Sequence, residues 1–165
     1  MKTIIRLILL AAALALGCWL WSGFFPGPEK AIRKKMSALA ETATLDGQAN
    51  AFARVAKALS FQSYFSSNAV IVVDVPELGA HTLNSRFEIV EQSNLAFAAL
   101  PGMKVSFHDT TVRIGSDQQT AEVNCTVQVM VGREKDFGVQ ELRFRFEKIN
   151  GDWLITRVET VKTLT

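Results

Sequence analysis

Residues 139–161, VQELRFRFEKINGDWLITRVETV, contain the pattern that decides the fold of this chain. From Leu142 to Phe146, apolar residues alternate with arginines, and this period of two predicts a strand with one buried face. Asn150-Gly151 is the preferred dipeptide of a two-residue type I′ turn, and apolar residues recur after it. The segment therefore predicts an antiparallel strand pair that closes the domain.

Two further strands precede this pair. Residues 121–131 alternate cleanly between apolar and polar side chains, as a half-buried strand does. Residues 103–114 also alternate, but their apolar side chains move from odd to even positions near the middle of the run. Such a change of parity within one strand predicts a β-bulge near His108-Asp109 that bends the sheet.

Two helices are predicted at the start of the domain. In residues 29–44, apolar side chains recur at helical spacing, and Pro28 suits the first turn of a helix. A second apolar stripe predicts a helix over residues 48–62. This stripe consists of Phe52, Val55, Ala56 and Leu59.

A strand and a third helix follow. The apolar run over residues 68–75 predicts the strand, which ends in the loop PELG at residues 76–79. Ser85 and Glu88 form a capping box that opens a helix ending before Leu100-Pro101-Gly102. The order of helices, strand, helix and four strands predicts an α+β fold, with one curved, mostly antiparallel sheet packed against three helices.

An apolar segment precedes this domain. Residues 7–25, LILLAAALALGCWLWSGFF, carry no charge, and 19 residues of helix would measure about 28 Å, close to the hydrocarbon core of a bilayer. Trp19 and Trp21 lie near the end of the segment, as aromatic residues do at a membrane interface. We therefore expect a single membrane anchor with a short linker in residues 1–27, attached to a domain of residues 28–165.

Two other interpretations of this segment stay open. A cleaved signal peptide also has a basic start and an apolar middle, and Ala13-Leu14-Ala15 resembles a loose cleavage site. The sequence ALGC resembles a lipoprotein box in which Cys18 would be lipidated. Basic residues after the segment argue against export, but they belong to a predicted helix, and we expect the domain to lie outside the cytoplasm.

Charge and cysteine content argue against several classes of function. Without Lys2 and Arg6, 16 basic and 16 acidic side chains remain, so the domain has no basic excess for binding nucleic acid. Cys18 and Cys125 are the only cysteines, and Cys18 lies in the apolar segment, so no disulfide within the domain and no multi-cysteine zinc site can form. We expect no metal site and no cofactor.

The order of these elements resembles the nuclear-transport-factor-2-like superfamily, in its SnoaL-like branch. The resemblance covers roughly residues 28–163, and its most specific part is the hairpin in which Asn-Gly-Asp-Trp joins the last two strands. It implies a cone-like α+β barrel whose curved sheet and helices enclose a pocket. Members include isomerases, dehydratases, epoxide hydrolases, binding modules and assembly domains, so the fold alone selects no function.

The resemblance also implies a place for a general base. Asp74 falls where the steroid-isomerase-like branch carries its catalytic aspartate, just after the first long strand. That chemistry also needs a tyrosine on the first helix and a protonated acid on a later strand. The first helix here has no tyrosine, and Leu142 and Arg143 lie near the place of the second acid. Asp74 is therefore either a catalytic base or a polar residue that ends a strand.

Other side chains are candidates for lining the implied pocket. His108 beside Asp109 resembles a dehydratase-like pair, although neighbours on a strand point to opposite faces. Cys125 is expected to be a small core residue. The pocket-lining candidates are Tyr64, Asn94, His108, Cys125, Glu141 and Trp153.

These observations favour a membrane-anchored binding module. We expect a small apolar ligand or a protein partner, and a homodimer formed through the sheet face that carries Arg143 and Arg145. Two alternatives stay open. One is a small-molecule isomerase or dehydratase that uses Asp74 as its base, and the other is an assembly component of a membrane complex. The polarity of the pocket distinguishes these functions, because an enzyme needs converging acid–base groups.

Overall fold

The computed structural model describes residues 27–75, 79–132 and 138–161. Within these ranges the helices are α1 (Pro28–Ala43), α2 (Ala51–Ser60) and α3 (Arg86–Ala99), and a 3₁₀ turn (Phe61–Ser63) follows α2. The strands are β1 (Phe65–Val75), β2 (Gly79–Leu83), β3 (Met103–Ile114), β4 (Thr120–Val131), β5 (Gly138–Ile149) and β6 (Asp152–Thr160).

The strands form one six-stranded sheet in the order β2-β1-β6-β5-β4-β3. Neighbouring strands are antiparallel except β1 and β6, which are parallel. The predicted α+β class with a mostly antiparallel sheet is therefore confirmed. The predicted barrel is not, because within the described residues β2 and β3 are the two edges of a sheet that does not close.

The helices explain why the sheet stays open. Closure would require β2 to pair with β3, but α1 packs along β3 and α3 packs against β1, so helices occupy the space that a barrel would enclose. The start of the β3 edge is also covered. Leu45 and Met103 exchange two backbone hydrogen bonds, of 2.6 and 2.9 Å.

One hydrophobic core lies between the helices and the sheet. Its largest fully buried side chains come from α1, α3 and the strands β4, β5 and β6, and they are Ile32, Phe97, Val123, Phe146 and Ile155. Burying a side chain of this size contributes roughly 1.5–3 kcal/mol. We call the helix-covered side of the sheet the inner face and the opposite side the outer face.

The predicted bulge in β3 is confirmed. The pairing of β3 with β4 shifts between His108 and Thr111, and Asp109 adopts a φ of 51°. Because the bulge inserts one extra residue into β3 only, the side chains of Val112 and Ile114 pack against the core again after it.

The predicted helices are present, with small differences at their ends. The cap of α3 differs in one detail. The Ser85 hydroxyl accepts a hydrogen bond from the Glu88 N–H at 3.1 Å, but the Glu88 carboxylate accepts from the N–H of Asn84, at 2.8 Å, rather than from that of Ser85. The α2 helix begins later than predicted, at Ala51, where the Asn50 side chain caps it.

The start of β1 and the whole of β2 were not predicted. β1 begins three residues earlier than expected, at Phe65. β2 exposes every residue except Leu83, so its sequence, GAHTL, lacks the apolar alternation that marks a half-buried strand. Most of the predicted PELG loop, residues 76–78, lies outside the described residues.

The apolar stripe that predicted α2 is exposed. Phe52, Val55 and Leu59 are 83%, 45% and 50% accessible to solvent, whereas Ala58 contributes to the core. The helix is also held by Arg54, whose guanidinium donates hydrogen bonds to the carbonyl oxygens of Phe97 and Leu100 at the end of α3. A small residue and one arginine therefore attach α2, and its largest apolar side chains face solvent.

The predicted membrane anchor in residues 7–25 lies outside the described residues, together with the signal-peptide and lipoprotein interpretations of that segment. In the part of the chain that the structure describes, no helix is both long and apolar enough to cross a bilayer.

Replacing Gly151 by valine should destabilise the domain by about 1–3 kcal/mol. Asn150 and Gly151 have φ values of 52° and 91°, which a type I′ turn requires and a β-branched residue resists. A Cβ at Gly151 would meet no atom within 4 Å, so backbone conformation alone causes the loss. Urea denaturation measures it. Gly138→Val is the matched control, because Gly138 has the same open space without a positive φ, and equal losses would contradict the explanation.

Candidate functional site

The strand register places one side chain from each strand in a single row across the inner face. The row runs through Val112, Val123, Phe144, Val158, Ile71 and Leu83, from β3 to β2. Every member is apolar, and all of them belong to the core or pack against it. The centre of the inner face is therefore a hydrocarbon surface.

The two ends of the inner face differ in accessibility. We call the end with the turns at residues 115–119 and 150–151 the hairpin end, and the end where β3 starts and β6 stops the distal end. Buried side chains at the hairpin end include Ala121, Phe146, Trp153 and Ile155. Apolar side chains at the distal end pack against the core but stay partly accessible; we call Val105, Phe107, Val129 and Leu142 the distal apolar surface.

Gln140 and Thr160 bring polar groups to the distal end. Both are half-buried, and the strand register places Gln140 beside Val127 and Thr160 beside Leu142. The Gln140 side-chain amide donates to the Asp74 carbonyl oxygen at 2.5 Å, and the Thr160 hydroxyl accepts from the Asp74 N–H at 3.0 Å. These two side chains therefore hold the end of β1 against β5 and β6.

Asp74 has the parity of the outer face. β1 pairs with β2 without a register shift from Ile71 to Val75, so side chains alternate along this segment. Ile71 packs against the core, and Asp74, three positions later, lies on the opposite side of the sheet. The backbone of Asp74, rather than its carboxylate, takes part in the distal end of the inner face.

Three of the predicted pocket residues lie away from the inner face. His108 is exposed on the outer face, with its Nε2 atom 3.2 Å from Oε1 of Gln128. Glu141 is exposed on the same face, where it borders a depression of about 300 Å³ together with Asp109 and Arg143. Asn94 is exposed on α3. These residues do not meet Asp74 in one inner pocket.

Tyr64 makes structural contacts. Its hydroxyl lies 2.9 Å from the Thr42 hydroxyl and donates to the Ala38 carbonyl oxygen at 3.1 Å. Its own carbonyl oxygen accepts a hydrogen bond from the Ile155 N–H at 2.8 Å. Tyr64 thereby joins the start of β1 to α1 and β6.

Cys125 and Trp153 are buried on the inner face, but at different levels. Cys125 pairs with Leu142 towards the distal end, and burial raises the pKa of its thiol to about 12. Trp153 lies at the hairpin end, where its carbonyl oxygen accepts a hydrogen bond from Nζ of Lys35. Burial lowers the pKa of Lys35, against the opposing charge of Asp152.

The outer face carries a network of five charged side chains: Arg143, Arg145, Arg157, Glu122 and Glu159. Glu159 is at its centre, because Arg157 Nε donates to its carboxylate at 2.8 Å and nitrogens of Arg143 and Arg145 lie 3.5 and 3.9 Å away. The hydrogen bond from Arg157, aided by the three positive charges and opposed by burial, lowers the pKa of Glu159.

This arrangement suits binding better than proton transfer. Among the described residues, no group of three or more His, Cys, Asp or Glu side chains could hold a metal ion. General acid–base catalysis requires a titratable group within hydrogen-bonding reach of the substrate. The inner face offers hydrocarbon, the Gln140 amide and the Thr160 hydroxyl, whereas Asp74, His108 and Glu141 lie on the outer face.

Sequence reasoning missed Gln140 and Thr160, although one of them carries a signal. Gln140 has the parity of Leu142, Phe144 and Phe146, so it is a polar residue in the apolar phase of its strand. Its contact with Asp74, 66 positions away, could not be deduced from that parity.

The fold of the described residues is similar to that of solved structures described as nuclear-transport-factor-2-like or as having a cystatin-like fold. A nuclear-transport-factor-2-like protein with a cystatin-like fold from Novosphingobium aromaticivorans matches with a TM-score of 0.62 and 19% identity, over 92% of this chain and 86% of that chain. A domain of unknown function with a cystatin-like fold from Nostoc punctiforme matches with a TM-score of 0.63 and 17% identity, over 86% and 80% of the two chains.

A third similar structure has a named activity. It is a candidate scytalone dehydratase from Novosphingobium aromaticivorans, with a TM-score of 0.56 and 13% identity, over 82% of this chain and 84% of that chain. At such identities the likeness establishes the fold and not the activity. No family model and no curated protein matches the sequence. The predicted resemblance is therefore confirmed at the level of the fold, and the SnoaL-like branch stays a prediction.

The Cys125 thiol should react only slowly with Ellman's reagent in the folded protein at mildly alkaline pH. Burial raises its pKa to about 12, so the reactive thiolate is scarce, and the side chain is also shielded. In a Cys18→Ser variant, Cys125 is the single thiol and the absorbance reports it alone. We expect one thiol to react rapidly once urea unfolds the chain, and rapid reaction before unfolding would contradict the burial.

Proposed function

We propose that this chain is a membrane-tethered binding module with a nuclear-transport-factor-2-like fold, and that its distal apolar surface receives a small apolar ligand. One observation carries the proposal. The apolar lining of the inner face, buried at the hairpin end, continues into the partly accessible side chains of Val105, Phe107, Val129 and Leu142. A ligand placed there would remove this accessible hydrocarbon from water, which is favourable.

The polar groups of the site support a ligand that is mainly apolar. Pockets for small molecules combine hydrophobic walls with a few polar groups that fix orientation. At the distal end these groups are Gln140 and Thr160, and both already bond to the backbone of Asp74. The amide oxygen of Gln140 and the O–H of Thr160 are not used in these bonds, so the site offers a mainly apolar ligand a few polar contacts.

Catalysis is the second candidate function. The candidate scytalone dehydratase among the similar structures supports it, and Asp74 would then be the base of an isomerase or dehydratase. A general base must come within about 2.6–3.2 Å of the proton that it removes. The outer-face parity of Asp74 argues against that contact for a ligand on the inner face, and it favours binding over catalysis.

Val129→Gln should weaken the binding of 1-anilinonaphthalene-8-sulfonate, a fluorescent anion whose aromatic rings bind apolar surface, about tenfold, because burying a valine contributes roughly 1.5 kcal/mol. A fluorescence titration of the chain without residues 1–26 measures the affinity. Met130→Gln is the matched control, since Met130 is the next residue of β4, half-buried on the outer face.

Equal affinities of the Val129 and Met130 variants would exclude the distal apolar surface as the binding site. Asp74→Asn serves to separate the two candidate functions. If it lowers the affinity while Val129→Gln does not, the ligand lies against Asp74 and the catalytic alternative gains support.

The tether is a separate part of the proposal, and its support is the uncharged segment of residues 7–25. The full-length chain should stay in the membrane pellet after alkaline carbonate extraction, with an intact N-terminus by mass spectrometry and with the domain outside the cytoplasm. A mature chain that starts at Cys18 and carries lipid would establish a lipoprotein instead. A soluble chain that has lost the segment would establish a cleaved signal peptide.

The outer-face network supports a homodimer as a further part of the proposal. Two copies related by a twofold axis could pair Arg145 of one with Glu122 of the other, because the surface presents both signs of charge. Salt screens exposed ion pairs, so the sedimentation coefficient should fall towards the monomer value as salt is raised. If the protein sediments as a monomer at low salt, the outer-face network does not form a dimer interface.

A further inference from the structure

The exposed apolar side chains of this protein are concentrated on two helices. Six large hydrophobic residues are exposed among the described residues, and five of them belong to α2 and α3: Phe52, Val55, Leu59, Phe87 and Leu95. The sixth is Val139, on the outer face of β5. Because the helices cover one face of the sheet, side chains that point away from the sheet belong to one side of the domain, which we call the helical side.

The pattern on α2 is ordered. Phe52, Val55 and Leu59 are spaced by three and four positions, so they form a single stripe along the helix. Exposed apolar residues scattered singly need no explanation, but a contiguous group marks a surface that contacts another apolar phase. The neighbouring helix adds Phe87, which is 75% exposed.

The helical side also carries positive charge near the start of α1. Lys30 and Lys34 are exposed one turn apart. Arg33 does not add to this charge, because its guanidinium pairs with Glu29 at 2.9 Å and donates to the Thr110 carbonyl oxygen of β3 at 3.0 Å. α2 has no acidic residue and contributes Lys57. The exposed acids on the helices, besides the paired Glu29, are Glu41 and Glu91.

The apolar segment ends close to this surface in the sequence. Only Pro26 and Gly27 separate Phe25 from α1, and two extended residues span about 7 Å. If residues 7–25 are in a bilayer, the start of α1 must therefore lie at the headgroups. The domain could then rest either on its hairpin end or on its helical side.

The two orientations differ in what they would present to lipid. The hairpin end exposes Asp117, Glu147 and Asp152 against Lys148, an acidic excess that anionic headgroups repel. None of the six exposed large hydrophobic residues lies in its turns. The helical side exposes the α2 stripe and the lysines of α1. An amphipathic helix binds a membrane surface by this combination of apolar area and positive charge.

We propose that the helical side lies on the surface of an anionic bilayer, with Phe52, Val55 and Leu59 inserted at the level of the headgroups and with Lys30 and Lys34 against their phosphates. The inference rests on the proposed tether and adds an orientation to it, with the outer face of the sheet turned away from the membrane. The contact can be weak on its own, because the tether raises its effective concentration.

The test uses the full-length chain with Cys18→Ser, reconstituted in vesicles of phosphatidylcholine and phosphatidylglycerol that contain a doxyl-labelled lipid. A bimane label is placed at Phe52→Cys or, as the matched control, at Val139→Cys. Both positions are exposed and apolar, but they lie on opposite sides of the domain, and the buried Cys125 thiol is shielded from the reagent. Quenching at position 52 should exceed that at position 139 about twofold or more.

The charge contribution has its own readout. Lys30→Gln combined with Lys34→Gln should lower the quenching at position 52 in vesicles with phosphatidylglycerol, and should change it little in pure phosphatidylcholine. If the double variant has no effect with phosphatidylglycerol, the lysines do not contribute and that half of the proposal is overturned.

Flotation of the same vesicles separates the failure of this inference from that of the tether. Protein that does not float with the vesicles refutes the tether, and the orientation with it. Protein that floats with equal quenching at both positions leaves the tether intact and refutes only the contact of the helical side. If quenching at position 52 falls as the protein-to-lipid ratio rises, the stripe contacts a second copy of the chain rather than lipid. That result would overturn the membrane contact.

Discussion

Burial of one apolar face of a six-stranded sheet is the constraint on which the rest of this structure depends. Side chains alternate along a strand, so a strand keeps its apolar residues inside only while its register holds. Register shifts in three strand pairs allow the sheet to bend. The first is the bulge after His108 in β3; the others are an extra residue, Thr156, in β6 and a shift between Phe65 and Val70 in β1. Without the first, Val112 and Ile114 would face solvent.

The same alternation separates the chemistry of the two faces. A charged group buried without a partner is costly, so the strands place hydrocarbon under the helices and ionisable groups on the other side. Glu159 shows the result: it neighbours Val158 of the core, yet its carboxylate meets three guanidinium groups on the outer face. A ligand on the inner face would therefore meet mainly hydrocarbon, and at Asp74 the backbone rather than the carboxylate lies at that face.

The helices obey a weaker constraint. α1 contributes Ile32, Met36 and Leu39 to the core, whereas α2 contributes Ala58 and depends on Arg54, whose guanidinium satisfies carbonyl groups at the end of α3. Because these carbonyl groups have no partner within their own helix, one arginine can bridge two helices without apolar packing. The arrangement leaves the larger side chains of α2 available for another surface.

The sequence by itself determined the features that depend on near neighbours: the helices, the β3 bulge, the Asn150-Gly151 turn and the inner-face positions of Cys125 and Trp153. Periodicity and turn chemistry act over a few residues, so they can be recognised without the rest of the chain. Only the tertiary structure decided the parallel pairing of β1 with β6, the open edges at β2 and β3, and the contact of Gln140 with Asp74. It also decided that the stripe of Phe52 and Leu59 is exposed. The sequence of an apolar stripe is the same whether or not another element covers it. Which element covers it depends on contacts between segments that are distant in the sequence.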